Sequence, residues 1–420
     1  MAKRWIALIL SHALSVAAQQ SVSPADLSRA MAKALADGDL SSVRTTATLI
    51  RSALGDKAGV PEVADTYQPI PFGKPMFTPE EAKRSADRCF DAVERRRWWK
   101  IGTDPTQLRD PLRMPASVLS GYLAVMRSRL PQADTARARA QAAADFLMWA
   151  QEQAGSGGFP FPAARGTSEA RAMQVASRFI EKAERAGKLD RIVRNGWLFD
   201  DLGDGGLQFD NGECGLAMFE WYALTKDPRH LASARKAADW ALRQPLCPNW
   251  NYNSFSADLL AKAYAVTGEQ KYLDAAVTKA TLGVIPGQLP DGPHAGRWAD
   301  PHNARPAYHY IMMRALIGLA AAMPEHHAAR EDVMRSLTLG LRARNSEIIE
   351  RGAMTLDKSF EALLLANRLF ADQPRWLQET RSQEALHALC TLIAEHARHG
   401  KTPLAPGEWG LFLETAAARR

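Results

Sequence analysis

The stretch "GLAMFEWYALTKDPRHLASARKAADWAL", Gly215 to Leu242, contains two different helix patterns separated by a short polar turn. The first part, up to Leu224, is almost wholly apolar, which is typical of a helix that is buried on all sides. The turn "TKDPRH" follows. After it, apolar and charged residues alternate at helical spacing, which indicates a half-exposed helix. The stretch therefore predicts a hairpin of one buried and one half-exposed helix.

The same alternation recurs along the chain. Short turns that join an apolar helix to an amphipathic one lie at 129–134, 225–230, 267–272, 323–328 and 371–376. Longer segments separate the hairpins at 154–167, 188–211, 244–252, 284–304, 345–354 and 399–412. Strand-like alternation is nearly absent, so the chain is expected to be all-α. Tight turns that alternate with long loops predict an (α/α)6-type toroid of stacked hairpins, with an inner ring of buried helices.

Two of the hairpins carry a resemblance to known proteins. The segments 215–242 and "SADLLAKAYAVTGEQKYLDAAVTKA", 256–280, resemble hairpins of the (α/α)-toroid carbohydrate-active enzymes, the six-hairpin glycoside hydrolases and toroid polysaccharide lyases. The resemblance covers roughly residues 80–400. It implies a toroid fold, secretion and a carbohydrate substrate. No catalytic signature of these families can be transferred to individual residues of this chain.

The first residues, "MAKRWIALILSHALSVAAQQ", have the pattern of a secretory signal, with Lys3 and Arg4 before a short apolar run. That run is too short to span a membrane. We therefore expect a signal peptide at 1–18, a helical extension and linker at 19–78, and the toroid at 79–420. The mature protein is expected to be secreted or periplasmic and not to be held in a membrane.

The charge balance constrains the partner only weakly. Loss of Lys3 and Arg4 would lower the formal net charge from +7 to +5. This mild excess permits an acidic polysaccharide or oligosaccharide and does not indicate nucleic acid. Four cysteines remain, and they predict either two disulfides or buried thiols: Cys89, Cys214, Cys247 and Cys390. No metal and no cofactor is expected.

Five carboxylates precede or enter the apolar run of the opening stretch, between residues 200 and 213. Asp201 and Asp204 are candidate catalytic groups, while Asp210 and Glu213 are candidate substrate-binding groups. Glycines among them would let the loop approach a ligand closely. In the alternative interpretation, Asp210 or its neighbour Asn211 caps a helix that begins near residue 212.

A second group of polar residues lies in "GPHAGRWADPHNARPAYHY", residues 292–310. Pro306 is suited to the first position of a helix, so the preceding residues are expected on a loop. The candidates for proton transfer are His302, Tyr308 and His309. The candidates for substrate binding are Arg297, Trp298, Asn303 and Arg305. In the alternative interpretation, one or two of them only pack the next inner helix.

Aromatic and amide side chains add to the predicted loop surface, because aromatic faces stack on sugar rings and amides bind hydroxyl groups. Tyr252 is a further catalytic candidate. The binding candidates of this group are Trp197, Trp250, Asn253 and Trp409. Any one of these tryptophans is as well explained by a place in the core.

Two reactions are consistent with these residues. The favoured one is β-elimination on a uronate-containing glycan, in which Arg305 and Asn253 neutralise the carboxylate and His or Tyr moves the C5 proton. The alternative is a glycoside hydrolase with a pair of carboxylates. Candidates for that pair are Asp201, Asp204, Asp210, Glu213, Asp258 and Glu408. A third interpretation is a secreted glycan-binding toroid without turnover.

Overall fold

The computed structural model describes residues 23–71, 77–86, 113–128, 130–159, 185, 204–401 and 404–417. The helices are α1 Pro24–Ala36, α2 Leu40–Leu54, α3 Arg113–Arg127, α4 Ala133–Ala154, α5 Asp204–Thr225, α6 Pro228–Arg243, α7 Trp250–Thr267, α8 Gln270–Gly283, α9 Pro306–Ala322, α10 Arg330–Arg351, α11 Leu356–Leu369, α12 Pro374–Glu379, α13 Ser382–Arg398 and α14 Pro406–Ala417. Residues 79–86 are also helical. The prediction of an all-α chain is confirmed for these ranges, in which strand-like pairing amounts to isolated bridges.

Six helices form an inner ring: α3, α5, α7, α9, α11 and α14. Each packs against the next, and α14 packs against α3, which closes the ring. The helices α4, α6, α8, α10 and α13 each pack on the outside of the inner helix that precedes them. Because every outer helix returns the chain to the same end, the inner helices all run in one direction. The predicted toroid is therefore confirmed.

The contact that closes the ring depends on glycine. A Cβ atom at Gly121 of α3 would overlap the carbonyl of Pro406, and one at Gly410 of α14 would overlap the carbonyl of Gly121. Without side chains at these positions, the two backbones approach closely enough to pack. The last inner helix thereby meets the first.

Inner and outer helices differ in burial as the sequence pattern indicates. In α9, residues 309–317 are all buried, so this helix is surrounded by protein. In α6, Ala234 and Ala237 are buried while Arg235 and Lys236 are exposed. The buried apolar side chains form one continuous core.

The tight turns lie where the sequence indicates, but four of the long segments are shorter than expected because helices extend into them. Helix α10 runs to Arg351 within the predicted segment 345–354, and α14 begins at Pro406 within 399–412. Helix α5 begins at Asp204 and not near residue 212, and α7 begins at Trp250 and not after residue 252. The glycines between 205 and 215 do not break α5. A Cβ at Gly212 would lie 2.9 Å from Cβ of Phe255, so this glycine lets α5 approach α7.

Of the two N-terminal helices, α1 packs on α2, and α2 packs against the loop end of the toroid. Helix α2 contacts α8 and the 3-10 turn at Ile285–Gly287. Residues 59–68, here called the strap, continue across this end: Gly59 N donates to Ala299 O at 2.9 Å, and Gln68 pairs with Ala353. The predicted domain boundary at residue 78 stays a prediction. Beyond it, Glu81 forms an ion pair with Arg398 of α13 at 2.8 Å.

Several expectations concern residues that the structure does not describe. The predicted signal peptide at 1–18 and Cys89 lie outside the described residues. Cys214, Cys247 and Cys390 are buried, and no disulfide joins them to one another. None of the helices in the described part of the chain is long and apolar enough to cross a membrane.

Candidate functional site

A group of ionisable side chains links five inner helices across the interior of the ring. We call it the axial cluster; its members are Glu213 of α5, Asp258 of α7, Arg314 of α9, Lys358 and Glu361 of α11, and Glu408 of α14. Helices α5 and α9 are separated in the ring by α7. The bond between Arg314 and Glu213 therefore crosses the ring interior.

Arg314 is the centre of the cluster. Its Nη2 donates to Glu213 Oε1 at 2.7 Å, its Nε to Asp258 Oδ2 at 3.0 Å, and its Nη1 to Glu361 Oε1 at 2.8 Å. One guanidinium thus binds carboxylates from three other inner helices, a role that its planar set of donors permits. Arg314 exposes 6% of its side chain, compared with 18% for Glu213 and 22% for Glu361. The two glutamates therefore face the more open side of the cluster.

Lys358 extends the cluster to α14. Its Nζ lies 3.4 Å from Glu361 Oε2 and 2.9 Å from Glu408 Oε1. Asp258, Arg314, Glu361, Lys358 and Glu408 therefore form a chain of alternating charges across the ring. Glu361 is the only member of this chain that lies between two cations.

The surroundings move the pKa values of these carboxyl groups in opposite directions. Burial raises the pKa of Asp258 to about 6, against the opposing effect of Arg314. Burial alone would also raise the pKa of Glu361, but Arg314 and Lys358 outweigh it and lower that pKa to about 2. Burial raises the pKa of Glu408, and Lys358 offsets part of this effect. The cluster thus combines a carboxylate that stays ionised with carboxyl groups that hold a proton more tightly than usual.

The polar segment before α9 is arranged differently from what its sequence suggests. The rings of His302 and Tyr308 stack with centroids 4.5 Å apart, and the Arg305 guanidinium lies 5.0 Å from the Tyr308 ring centroid. Glu62 of the strap lies 3.7 Å from Nδ1 of His302 and 3.5 Å from Nη1 of Arg305. His302 is buried. The structure thus brings together the predicted residues His302, Arg305 and Tyr308. They contact one another and Glu62 of the strap.

His309 lies between an inner and an outer helix. Its Nε2–H donates to the carbonyl of Gly340 in α10 at 3.0 Å, because a carbonyl can only accept. The ring is fully buried and meets Trp298 edge-on at 5.4 Å. Burial holds the pKa of His309 well below its usual range, so the imidazole is neutral. These contacts favour a packing role for His309, and its predicted part in proton transfer stays a prediction.

The amide candidates bind backbone groups and the side chains of neighbouring residues. Asn253, which lies in the first turn of α7, donates to the carbonyls of Cys247 and Gly283 and accepts from Cys247 N. Asn303 donates to Asp300 and accepts from Asn251. Both amides are buried. They hold the loops before α7 and α9 in place.

The predicted tryptophans that can be described are core residues. Trp250, Trp298 and Trp409 are each at most 2% exposed. Trp298 Nε1 donates to Val284 O at 2.9 Å. Arg297 forms an ion pair with Glu347 of α10 and does not reach the axial cluster.

The remaining candidates divide between described and undescribed residues. Asp201 and Trp197 lie outside the described residues, and of Asp204 only the backbone, at the start of α5, is described. Asp210 is buried within α5, and Tyr252 is half-buried in the first turn of α7. Asp210 therefore does not cap a helix that starts after it.

Sequence reasoning identified three members of the axial cluster and missed the other three. Glu213, Asp258 and Glu408 were candidates for a carboxylate pair, whereas Arg314, Lys358 and Glu361 were not considered. A signal was present for Arg314, which interrupts the apolar run "YIMMRALIGLAA" of an inner helix. A cation in such a helix requires buried partners, and Arg314 has three of them in Glu213, Asp258 and Glu361.

Comparison with known proteins shows similarity in structure alone. No protein-family model matches the chain, and no curated protein matches it in sequence. A solved structure described as glycosyl hydrolase family 88 from Bacteroides vulgatus has a TM-score of 0.49 and 12% identity, over 81% of this chain and 98% of that chain. A polysaccharide lyase has a TM-score of 0.49 and 10% identity, over 81% of this chain and 96% of that chain.

Proposed function

We propose that the protein is a carbohydrate-active hydrolase that cleaves a glycosidic bond at the axial cluster. The supporting observation is the arrangement around Arg314, whose guanidinium binds both Asp258 and Glu361. The pKa of Asp258 is raised to about 6 and that of Glu361 is lowered to about 2. Carboxyl groups whose pKa values are moved apart in this way are suited to opposite roles in acid–base catalysis. The carbohydrate substrate is what the resemblance of the hairpins implies.

In the proposed reaction, Asp258 donates its proton to the glycosidic oxygen as the bond from that oxygen to the anomeric carbon breaks. Glu361, which stays ionised, accepts a proton from the water that attacks the anomeric carbon. Both protons are then exchanged with solvent, which restores the starting state. Arg314 orients the two carboxyl groups relative to each other.

The contacts of the other candidate group give the lyase less support. A lyase needs a histidine or tyrosine that faces a bound uronate. His302 and Tyr308 instead stack on each other, and His309 is bonded to Gly340. The alternative that the sequence left open, a carboxylate pair, is therefore better supported by the geometry.

The test is to incubate the protein with a panel of acidic and neutral polysaccharides and oligosaccharides. We expect new reducing ends without unsaturated-uronate absorbance. Asp258→Asn and Glu361→Gln should each lower kcat by about 100-fold or more, the usual contribution of an acid or base. Asp274→Asn and Glu384→Gln, on the outer helices α8 and α13, are matched controls that should retain activity.

Other results would contradict the hydrolase. Absorbance that rises with reducing ends would indicate elimination and return attention to His302, Tyr308 and His309. In that case the double replacement of His302 and His309 by alanine should abolish turnover and leave the helical circular dichroism unchanged. Glycan binding without any product would indicate a non-catalytic toroid.

A further inference from the structure

We propose that Lys358 and Glu408 form a positioning pair that holds Glu361 ionised and oriented for the reaction. The inference rests on the proposed hydrolase, in which Glu361 is the proton acceptor. It assigns a role to the half of the axial cluster that lies beyond Arg314. Neither residue of the pair is proposed to exchange a proton with substrate.

The first step concerns Glu361. Each of its two carboxylate oxygens faces a different cation: Oε1 accepts from Arg314 at 2.8 Å, and Oε2 lies 3.4 Å from Lys358 Nζ. Two cations at these distances fix the plane of the carboxylate as well as its charge. If Lys358 is replaced, Oε2 of Glu361 loses its charged partner. Arg314 is then the remaining cation, and it is shared with Glu213 and Asp258.

The second step concerns what holds Lys358. Its Nζ donates to Glu408 Oε1 at 2.9 Å, a bond that joins α11 to α14. Glu408 is 5% exposed, and its other oxygen, Oε2, is buried without a hydrogen-bond partner among the described residues. A buried carboxylate with so few donors depends on its one cation. Lys358 and Glu408 therefore hold each other in place.

The third step concerns the charges around the pair. Glu361 is surrounded by Glu213, Asp258, Arg314, Lys358 and Glu408, which come from α5, α7, α9, α11 and α14. Burial raises the pKa of Glu361, and the two cations Arg314 and Lys358 lower it. Removal of Lys358 should raise the pKa of Glu361 towards its ordinary value.

The experiment compares the pH dependence of kcat for Lys358→Met, Lys358→Arg and the wild type. Activity is lost below the pKa of the proton acceptor. We therefore expect the acid limb of the Lys358→Met profile to lie about one pH unit or more above that of the wild type. Lys358→Arg should restore most of the difference. Glu414→Gln, on α14 but paired with Arg127 outside the cluster, is the control and should leave the profile unchanged.

Glu408 is tested with two variants of different hydrogen-bonding capacity. Glu408→Gln keeps an oxygen that accepts from Lys358, whereas Glu408→Leu does not. We expect the leucine variant to move the acid limb in the same direction as Lys358→Met and the glutamine variant to move it less. If Lys358→Met instead raises KM and leaves the pH profile of kcat unchanged, the proposal is overturned, because Lys358 then binds substrate directly.

A measurement that does not require turnover separates this proposal from the proposed function. With glutamate labelled by carbon-13 at Cδ, the Glu361 carboxyl can be assigned by comparison with Glu361→Gln. In Lys358→Met we expect it to titrate at about pH 4, the ordinary glutamate range, and in the wild type to remain ionised at that pH. Equal titration in both proteins would overturn the pair even if hydrolysis is found. A changed titration without any hydrolysis would contradict the proposed function and leave the electrostatic effect of Lys358 established.

Discussion

Arg314 shows how one side chain imposes a structure on its surroundings. A guanidinium inside an apolar helix loses its hydration, and this costs several kcal/mol unless carboxylates replace the water. Three carboxylates do so, from α5, α7 and α11. Their attraction outweighs burial and holds the pKa of Arg314 well above its usual range, so the cation persists. The polar centre of the toroid is therefore built around a permanent positive charge.

Asp258 makes a testable contribution to the pH dependence of stability. Its pKa is about 6 in the folded protein, compared with 3.8 for an unperturbed aspartate. Between these values the folded state binds more protons than the unfolded state, so the free energy of unfolding falls as pH rises. We expect this fall to be about 2 kcal/mol between about pH 4 and about pH 7. Urea unfolding of the wild type and of Asp258→Asn, measured over that range, checks it.

The comparison with Asp258→Asn isolates this group, because both proteins retain Glu361 and Glu408. The stability of the wild type minus that of the variant should decrease steadily from about pH 4 to about pH 7. A difference that is constant over this range would mean that the pKa of Asp258 is unperturbed. Its assignment as the proton donor would then lose its main support.

Among the helices, the division between inner and outer rings follows from hydrophobic pattern. An apolar helix such as α9 cannot face water, and an amphipathic helix such as α6 can bury only one side. Apolar and amphipathic helices alternate along the chain. A closed ring surrounds the apolar helices with protein and lets each amphipathic helix bury its apolar side against them. The glycines at α3 and α14 then set how closely the first and last inner helices meet.

Gly410→Ala tests this closing contact. Its new methyl group would overlap the backbone of Gly121, which cannot move without shifting α3. We expect a loss of about 2 kcal/mol in the free energy of unfolding, as for other overpacked sites. Gly340→Ala is the matched control, since there the methyl group meets the ends of two side chains, Met313 and Gln288, and no backbone. Equal losses in the two variants, measured by urea unfolding, would mean that the α3–α14 contact is not tightly packed.

Across the molecule, the strap ties the N-terminal helices to the loop end of the toroid. Asp65 of the strap accepts from Arg344 Nη1 at 3.0 Å, and Arg344 is fully buried and also bonded to Ala304 O and Glu347. Removal of one partner from a buried ion pair is strongly destabilising. Arg344 is therefore expected to be the main anchor of the strap.

Arg344→Met should release the strap and leave the inner ring intact. The amides of Gly59, Glu62 and Gln68 donate to carbonyls of the toroid, so their hydrogen exchange reports on strap docking. We expect their protection to fall by about 100-fold, the equivalent of about 3 kcal/mol, while amides of α5 remain protected. Arg342→Met, which removes an exposed ion pair two residues away, should change little. Unchanged protection in Arg344→Met would show that other contacts hold the strap.

The places where sequence reasoning failed have a common physical cause. Glycines between 205 and 215 indicated a loop, but in an inner helix a glycine also permits close packing against α7. The histidines and the tryptophan of 294–309 resembled a binding surface, but most of them fill space between α9, α10 and the strap. Whether such residues face a ligand or a neighbouring helix depends on partners that are distant in sequence. The start of α9 at Pro306 was predicted correctly, because a proline restricts the backbone locally.

The sequence by itself determined the helical hairpins, their alternation of buried and half-exposed members and hence the toroid, because hydrophobic periodicity is local information that selects burial. The tertiary structure alone decided which polar residues meet. Glu213, Asp258, Arg314, Lys358, Glu361 and Glu408 are spread over 196 positions of the chain and converge only because five inner helices face one interior. Contact between them arises from ring closure, which joins the last inner helix to the first. The shifted pKa values of Asp258, Arg314, Lys358, Glu361 and Glu408 follow from that contact and from burial, and neither can be derived from spacing along the chain.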